Sequence, residues 1–140
     1  MSAPFKFAHA VDLDWTRAAQ ACMNQLGAIP SAATLGFLYV SDAFAGELDA
    51  IQAFFKSATA VPHWTGSVGV GVCASGVEYL GQPAMAVMLG EFEPADFSML
   101  PLLRTPQDIA AQPLPDAYFA MVHGDPANTR IQELIEGLSE

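Results

Sequence analysis

The sequence predicts an α/β fold built on a mixed, partly parallel sheet with about three helices. The chain begins with the order strand, helix, strand, helix, which is typical of a sheet with parallel strands. Three short apolar segments separated by glycine-containing turns follow, and they predict an antiparallel meander. Of the 140 residues, 52% are hydrophobic and only 14% are charged, which is enough apolar material for one buried core. We therefore expect a single α/β domain over residues 1–140.

The first strand and helix are predicted from residues near the amino terminus. Residues 5–11, with the sequence FKFAHAV, alternate enough to form a strand. Asp12 or Asp14 can then cap a helix that runs to about Gln25, because apolar residues recur at helical spacing after them. Gly27 is expected to end this helix.

The second strand and helix follow in the same order. The continuous apolar run Leu35–Val40 predicts a strand that is covered on both faces. Ser41 or Asp42 caps a second helix that runs to about Ala58. The side chains of this helix that are expected to face the core are Leu48, Ile51, Phe54 and Phe55.

A glycine-rich stretch after the second helix contains the pattern G-x-G-x-x-A over residues 69–74. A dinucleotide-binding loop with this pattern must open a helix whose amide groups meet a pyrophosphate. Gly76 and the alternation beyond it argue against a helix here, so we interpret the stretch as a strand from about Thr65 to Cys73. A dinucleotide site is therefore not expected.

The alternation in this strand predicts two different faces. Valine side chains are expected to pack in the core from one face, and Cys73 is expected to be an ordinary buried thiol. The other face carries only very small residues, against which either a closely packed helix or a ligand would lie. The valines are Val68, Val70 and Val72, and the small residues are Ser67, Gly69, Gly71 and Cys73.

The carboxyl-terminal half combines strands, a loop and a helix. A return strand near Val77 and a buried strand over Pro83–Gly90 complete the predicted meander. Residues 91–116 hold five of the ten prolines and predict a long surface loop with one short helical turn, which is also the candidate mobile element. Ala117–His123 is expected to form a last strand, and a helix is expected to begin near Asn128. The inward side chains of that helix would be Ile131, Leu134, Ile135 and Leu138.

Charge and composition exclude several classes of function. The net charge is −10 and the five cationic residues are scattered, so binding to a phosphate backbone would be repulsive. No apolar stretch is long enough for a membrane helix, and we expect a cytoplasmic protein. The two cysteines form no C-x-x-C motif, and no cluster of ligands has the spacing of a metal site. The apolar composition suggests a surface that packs on a partner protein, on further chain or on another copy.

Candidate binding residues lie at two strand ends. Ser41-Asp42 and His123-Gly124-Asp125 each follow a predicted strand and precede a helix, which is the usual place for ligands in open α/β sheets. Turn and cap formation is the alternative role of these residues. His63-Trp64 precedes the glycine-rich strand and is either a loop pair or a ligand contact. No catalytic residue is predicted, because the sequence around Ser67 lacks the first glycine of G-x-S-x-G.

Four stretches, taken in their order and spacing, resemble the N-terminal region of FIST domains, which are bacterial sensory modules proposed to bind small ligands. The stretches are AHAVDLDWTRAAQA, LGFLYVSDAFAGELDAIQAFF, VPHWTGSVGVGVCASGVEYLGQPAMAVMLG and FAMVHGDP. The resemblance implies a ligand-binding signal-transduction domain rather than an enzyme. It also implies that the chain is the N-terminal portion of a longer module.

The resemblance leaves alternatives open. Some members of the wider family are described as haem-binding gas sensors, so His63 and His123 are kept as possible haem ligands. Many FIST sequences carry a run like G-C-S-T-A-G, and here Gly66–Gly71 reads GSVGVG, with Ser67 as its only hydroxyl. A less polar ligand, or a structural and oligomerisation module without a ligand, is therefore compatible with the sequence.

Overall fold

A computed structural model of the chain describes residues 5–113 and 116–139. The chain forms two compact units, of which the first ends at Asp96 and the second begins at Phe97. Within the described ranges, no helix has both the length and the apolar character needed to cross a bilayer.

The described residues of the first unit form six strands, two α-helices and one 3₁₀ helix. They follow one another as β1 (Phe5–Val11), α1 (Trp15–Leu26), β2 (Ala33–Ser41), the 3₁₀ helix (Asp42–Glu47), α2 (Leu48–Thr59), β3 (His63–Gly69), β4 (Gly71–Ala74), β5 (Val77–Leu80) and β6 (Ala84–Glu91). The predicted strand-helix-strand-helix start is confirmed. Asp14 caps α1 by accepting a hydrogen bond from the Thr16 amide, and Gly27 ends it with a positive φ of 61°.

The main sheet has the strand order β1-β6-β2-β3 and is mixed, as predicted. Strand β6 is antiparallel to both β1 and β2, and β3 is parallel to β2. Strands β1, β2 and β3 therefore all end at the same edge of the sheet, which we call the carboxyl edge. The strand pairing predicted for the meander is wrong. Strands β4 and β5 form a separate two-stranded sheet, and β6 lies between β1 and β2 in the main sheet.

Helices α1 and α2 cover one face of the main sheet. The largest buried side chains on this face come from α2 and from the two central strands, and they include Phe55, Ile51, Met85 and Val40. The indole of Trp64 lies against Gly36, where an added Cβ would be 2.5 Å from the ring. The apolar side chains that recur at helical spacing in the sequence therefore face this helix-covered core.

The β4–β5 hairpin covers part of the opposite face. Val72 packs there against Ala84 and Ala86, whose neighbours along β6 point into the helix-covered core. The hairpin is also tied to β1 by a 2.6 Å hydrogen bond between His9 Nδ1 and the Tyr79 hydroxyl. The unit therefore has three layers: helices, main sheet and hairpin.

The outer edge of β1 is occupied by a side chain from α1. The Gln25 amide nitrogen donates to the His9 carbonyl at 2.7 Å, and the Gln25 amide oxygen accepts from the His9 backbone N–H at 3.2 Å. Both backbone groups of His9 are thus satisfied as they would be by a neighbouring strand. Lys6 donates to the carbonyl of Leu26 at the end of the same helix.

The glycine-rich stretch departs from the prediction of one continuous strand. The chain bends at Val70, so β3 joins the main sheet while β4 pairs with β5. Because alternation predicts faces only along an unbroken strand, the core assignment is wrong for Val68 and Val70, and Val70 is 80% exposed. Val72 is buried as predicted. Cys73 is exposed, contrary to the expectation of a buried thiol.

The part of the second unit that the structure describes consists of two short helices and irregular segments. Helix α3 (Pro106–Ala110) has a capping box formed by Thr105 and Asp108, and α4 (Ile131–Gly137) follows a turn. The helical turn predicted in the proline-rich segment is confirmed by α3. The strand predicted over residues 117–123 is wrong, because these residues have no regular structure and join neither sheet.

Helix α4 also differs from the prediction in its start and its buried face. It begins at Ile131 rather than near Asn128, because the Asn128 side chain accepts from the Arg130 amide in a turn before the helix. Leu134 is buried as expected, whereas Ile135 is half exposed.

Candidate functional site

The carboxyl edge of the main sheet carries an opening between β1 and β2. The loop after β1 and the 3₁₀ helix after β2 both leave from this edge, and β6 enters the sheet between them. The chain before β6 is a tight turn ending at Pro83, whose carbonyl accepts a 3.2 Å hydrogen bond from the Asp12 amide. Since this turn is short, it leaves the space between the two flanking segments unfilled.

The resulting edge cleft is an open depression of about 580 Å³. Its apolar surface comes from aromatic and aliphatic side chains on both sides, and two carboxylates complete it. Trp15 is held in place by an edge-to-face contact with Phe54 at a ring-centroid distance of 6.3 Å. The lining residues are Leu13, Asp14, Trp15, Ala43, Phe44, Glu47 and Pro83.

The carboxylates give the edge cleft a negative potential. The Thr16 hydroxyl and the Thr16 backbone N–H, which donate to Asp14 at 2.6 and 2.8 Å, hold the pKa of Asp14 below its ordinary value. Nearby, the hydrogen-bonded Arg17 guanidinium lowers the pKa of Asp12, and the two groups form an ion pair at 2.8 Å. Because Arg17 is engaged with Asp12, the cationic group closest in sequence to Asp14 is already paired.

Two of the predicted binding residues begin the segment that lines this cleft. Ser41 is fully buried, and its hydroxyl accepts a 3.0 Å hydrogen bond from the Ala84 amide, which anchors the start of β6. Asp42 is the exposed first residue of the 3₁₀ helix. Ala43 and Phe44, the next residues along, are the ones that line the cleft. The strand end that was predicted to hold a site therefore lies close to an opening, but the residues that follow Ser41 and Asp42 are the ones that line it.

The predicted trench of small residues has a structural explanation. An added Cβ at Gly71 would lie 2.6 Å from the Leu80 side chain and 2.6 Å from the Tyr79 carbonyl, so the hairpin itself fills this space. An added Cβ at Gly69 would lie 2.9 Å from the Gly71 carbonyl. Close approach of the chain's own backbone thus accounts for both glycines.

Ser67 and Cys73 are separated by the bend between β3 and β4. Ser67 is half-buried opposite Tyr39 in the parallel β2–β3 pair. Cys73 pairs with Glu78 across the hairpin and lines a shallow depression of about 400 Å³ at the β4–β5 turn. The four small residues therefore do not form one continuous surface.

His63 and Trp64 have different surroundings although they are adjacent. His63 is exposed at the start of β3. Trp64 is buried and donates from its indole nitrogen to the Val61 carbonyl at 2.9 Å, so it is part of the helix-covered core. Neither the edge cleft nor the hairpin depression has a histidine among its lining residues, and the fit of a haem to these openings is poor.

The remaining predicted residues belong to the second unit. Gly124 and Asp125 are exposed and His123 is half-buried, all in an irregular segment before α4. The Asp125 carboxylate accepts a 2.8 Å hydrogen bond from the Ala127 amide, and this contact shapes the turn. The sequence allowed Asp125 either to bind a ligand or to form a turn, and its contact with the Ala127 amide supports turn formation.

Most of the cleft-lining residues were missed in the sequence. Leu13 and Trp15 lie where the sequence predicts only a helix cap and the start of the first helix, and Glu47 lies within the predicted second helix. A usable signal was Asp12-Leu13-Asp14 directly after a strand, because an exposed leucine between two acidic caps has no local structural role. Among the described residues, no cluster of three histidine, cysteine or acidic side chains is placed to hold a metal ion.

Comparison with known protein families gives a match over most of the chain. The family described as the FIST N domain matches residues 34–140. No curated protein and no solved structure matches the chain. Strand β1, helix α1 and the cleft residues Leu13, Asp14 and Trp15 precede the matched range, whereas Ala43, Phe44, Glu47 and Pro83 lie within it. The match covers more than half of the chain, and the chain therefore belongs to the FIST N domain family.

Proposed function

We propose that this chain is a cytoplasmic, non-enzymatic sensory domain that binds a small molecule in the edge cleft. Membership of the FIST family suggests a sensory or signal-transduction domain. The observation that supports the cleft as the site is its position at the carboxyl edge, between segments that follow two parallel strands. Ligands of open α/β sheets bind in this position because loops there vary without disturbing the sheet.

The lining of the cleft favours a neutral or cationic ligand with an apolar portion. Leu13 and Trp15 offer apolar surface that would be removed from water on binding, whereas Phe44 is only 3% exposed and adds little. The carboxylates of Asp14 and Glu47 repel an anion, and the net charge of −10 adds to that repulsion at long range. An anionic ligand such as a nucleotide is therefore disfavoured.

The cleft walls come from separate segments, which provides a route to a signal. One wall is the β1–α1 loop and the start of α1, and the other is the 3₁₀ helix that leads into α2. A ligand that touches both walls would favour the arrangement in which they are closest. The two helices would carry this change to a partner protein.

The non-enzymatic part of the proposal rests on the groups that could act as nucleophiles. Burial raises the pKa of the Cys22 thiol to about 12, which keeps it in the unreactive protonated form at neutral pH. The Ser41 hydroxyl is fully buried and already accepts a backbone hydrogen bond. Neither group lines the edge cleft, and the exposed thiol of Cys73 does not line it either.

The test is a thermal-shift screen with amines, amino acids, carboxylic acids and nucleosides as probes. Leu13 is 87% exposed, so Leu13→Arg should leave the fold intact while it introduces a bulky group into the cleft. We expect amines or neutral compounds to raise the melting temperature of the wild type and to bind about tenfold more weakly to Leu13→Arg. Val70→Arg is the matched control, since Val70 is 80% exposed and lies outside the cleft.

Two results would count against the cleft as a ligand site. If no probe stabilises the wild type, or if Leu13→Arg binds the hits as well as Val70→Arg does, the site is not in the edge cleft. A structural or oligomerisation module is then the better description, and the filled space beside Gly71 already favours it for the glycine-rich face. Haem binding is checked in the same samples by the absence or appearance of a Soret band after haem addition.

A further inference from the structure

Residues 117–123 of the second unit form an exposed apolar segment without regular structure. Phe119 is 81% exposed, Tyr118 is fully exposed, and Met121 and Val122 are each about half exposed. The segment carries no acidic residue and no lysine or arginine, although the chain as a whole has a net charge of −10. A contiguous apolar surface of this kind usually marks an interaction site.

The composition of the segment favours a strand. Tyrosine, phenylalanine and valine are enriched in strands, and residues 117–123 contain neither glycine nor proline. A strand, however, forms only when its backbone N–H and C=O groups pair with another strand. Strands β1 to β6 make up both described sheets, and residues 117–123 belong to neither of them. The segment therefore has the composition of a strand but belongs to neither described sheet.

The segment is complementary to itself when two copies run antiparallel about Ala120. In that register Tyr118 lies opposite Val122 and Phe119 lies opposite Met121. Pairs of an aromatic with a β-branched or similarly apolar side chain are favourable across strands. Asp116, just before the segment, lies opposite Gly124 in this register, so no two acidic side chains directly oppose each other there.

Charge also favours this segment as the point of contact between copies. Two chains of net charge −10 repel each other, and the repulsion is least where the surface carries no acidic side chain. We propose that residues 117–123 pair antiparallel with the same residues of a second copy, forming a two-fold symmetric dimer centred on Ala120. Such an interface is isologous, since the same surface is used by both subunits. The proposal does not depend on a ligand in the edge cleft.

The first experiment measures the mass of the full chain by sedimentation over a wide range of concentrations. We expect the wild type to dimerise and Phe119→Asp to raise the dimer dissociation constant by about 30-fold or more, as for a buried aromatic at an interface. Leu102→Asp is the matched control, because Leu102 is 76% exposed in the same unit and lies outside the segment. Circular dichroism establishes that both variants are folded.

The second experiment tests the register and remains informative if Phe119→Asp fails to fold. In a Cys73→Ser background, Ala120→Cys places two thiols opposite each other on the two-fold axis, and oxidised glutathione should link them. Tyr118→Cys should not be linked, since its two copies would be offset by four residues, or roughly 13 Å. The double variant Tyr118→Cys with Val122→Cys should be linked again.

A wild type that is monomeric at every concentration would overturn the proposal and favour pairing of the segment with a different protein. A dimer that survives Phe119→Asp, or that is linked equally well through Tyr118→Cys and Ala120→Cys, would also overturn it. In each of these cases the interface lies elsewhere or has another register. The proposed ligand site in the edge cleft is tested separately, because that test compares ligand binding by the wild type and Leu13→Arg and does not use the oligomeric state.

Discussion

The two compact units use apolar residues in opposite ways. In the first unit the large side chains of α2 and β6, such as Phe55, Ile51 and Met85, are fully buried. In the second unit Leu102 and Phe119 are more than three quarters exposed. Both units belong to one unusually hydrophobic chain.

This contrast indicates that apolar residues form a core only where helices and strands are long enough to cover them. Helices α1 and α2 have twelve residues each and cross a four-stranded sheet. Helices α3 and α4 have five and seven residues, and in the described part of the second unit the buried apolar residues are Ile109 and Leu134. Short helices bury little surface. Large apolar side chains of the second unit such as Leu102, Phe119 and Ile135 therefore remain exposed.

Replacing a single glycine of β3 is expected to cause the greatest loss of stability in the first unit. Gly66 has a φ of +153°, and an added Cβ would overlap the Leu38 carbonyl on the neighbouring strand. Gly66→Ala is expected to destabilise the chain by more than about 4 kcal/mol, measured by urea unfolding. Gly46→Ala is the control, because no atom lies within 4 Å of its added Cβ, and a near-wild-type midpoint is expected. Equal midpoints for the two variants would show that β3 does not lie this close to β2.

The next prediction compares two phenylalanines, one from each unit. Phe55→Ala removes a fully buried ring and should cost about 3–5 kcal/mol of unfolding free energy. Phe119→Ala removes an 81% exposed ring and should change the stability of the monomer by less than about 0.5 kcal/mol. The measurement is urea unfolding at a concentration low enough to keep the chain monomeric. A large loss for Phe119→Ala would mean that the second unit buries this ring in solution.

The two cysteines report on the closure of the helix-covered core without any substitution. Cys73 is exposed and should react with a thiol reagent at pH 8 within minutes, whereas Cys22 is fully buried with a pKa raised to about 12. One thiol per chain should therefore be labelled in the native protein and both in urea. Peptide mapping identifies the labelled residue. Rapid native labelling of Cys22 would contradict a closed core beneath α1.

The smallest effect is expected on acidification and should appear first in the second unit. Asp108 accepts hydrogen bonds from the Arg104 and Thr105 amides, and these contacts lower its pKa below 3.8. A carboxyl group with a lowered pKa in the folded state stabilises fully above its unfolded value, and this stabilisation is lost as the pH falls through the lowered value. Below pH 3.8 the protection of the Ile109 amide, relative to its exchange rate in an unfolded chain at the same pH, should therefore decrease.

Helix α1 provides the contrast for this acid effect. Its cap Asp14 also has a lowered pKa, but α1 is held by a buried face that includes Cys22 and Leu26. The amides of α1 should stay protected at a pH where those of α3 are lost. Asp108→Asn, which cannot ionise, should show fast exchange at Ile109 without the pH dependence. Simultaneous loss of protection in both helices would contradict this difference between the units.

Much of the first unit could be predicted because its signals are local. The cap at Asp14, the left-handed residue at Gly27 and the period of α2 depend on neighbours within a few residues. The insertion of β6 between β1 and β2 could not be predicted, since strand pairing is set by distant segments. The same holds for the edge cleft, which is assembled from three segments that are distant in the sequence. Residues 117–123 have the composition of a strand, but composition does not supply an edge to pair with.

One side chain on the edge of β1 has a consequence for how assemblies of this protein can grow. A strand edge with open backbone groups can recruit copy after copy and lead to fibrous growth without limit. Gln25 occupies both backbone groups of His9, so a foreign strand would first have to displace an amide that already serves as its substitute. On this side of the sheet, polymerisation is therefore opposed by a single glutamine. An association of two copies through residues 117–123 would accordingly not be extended from β1.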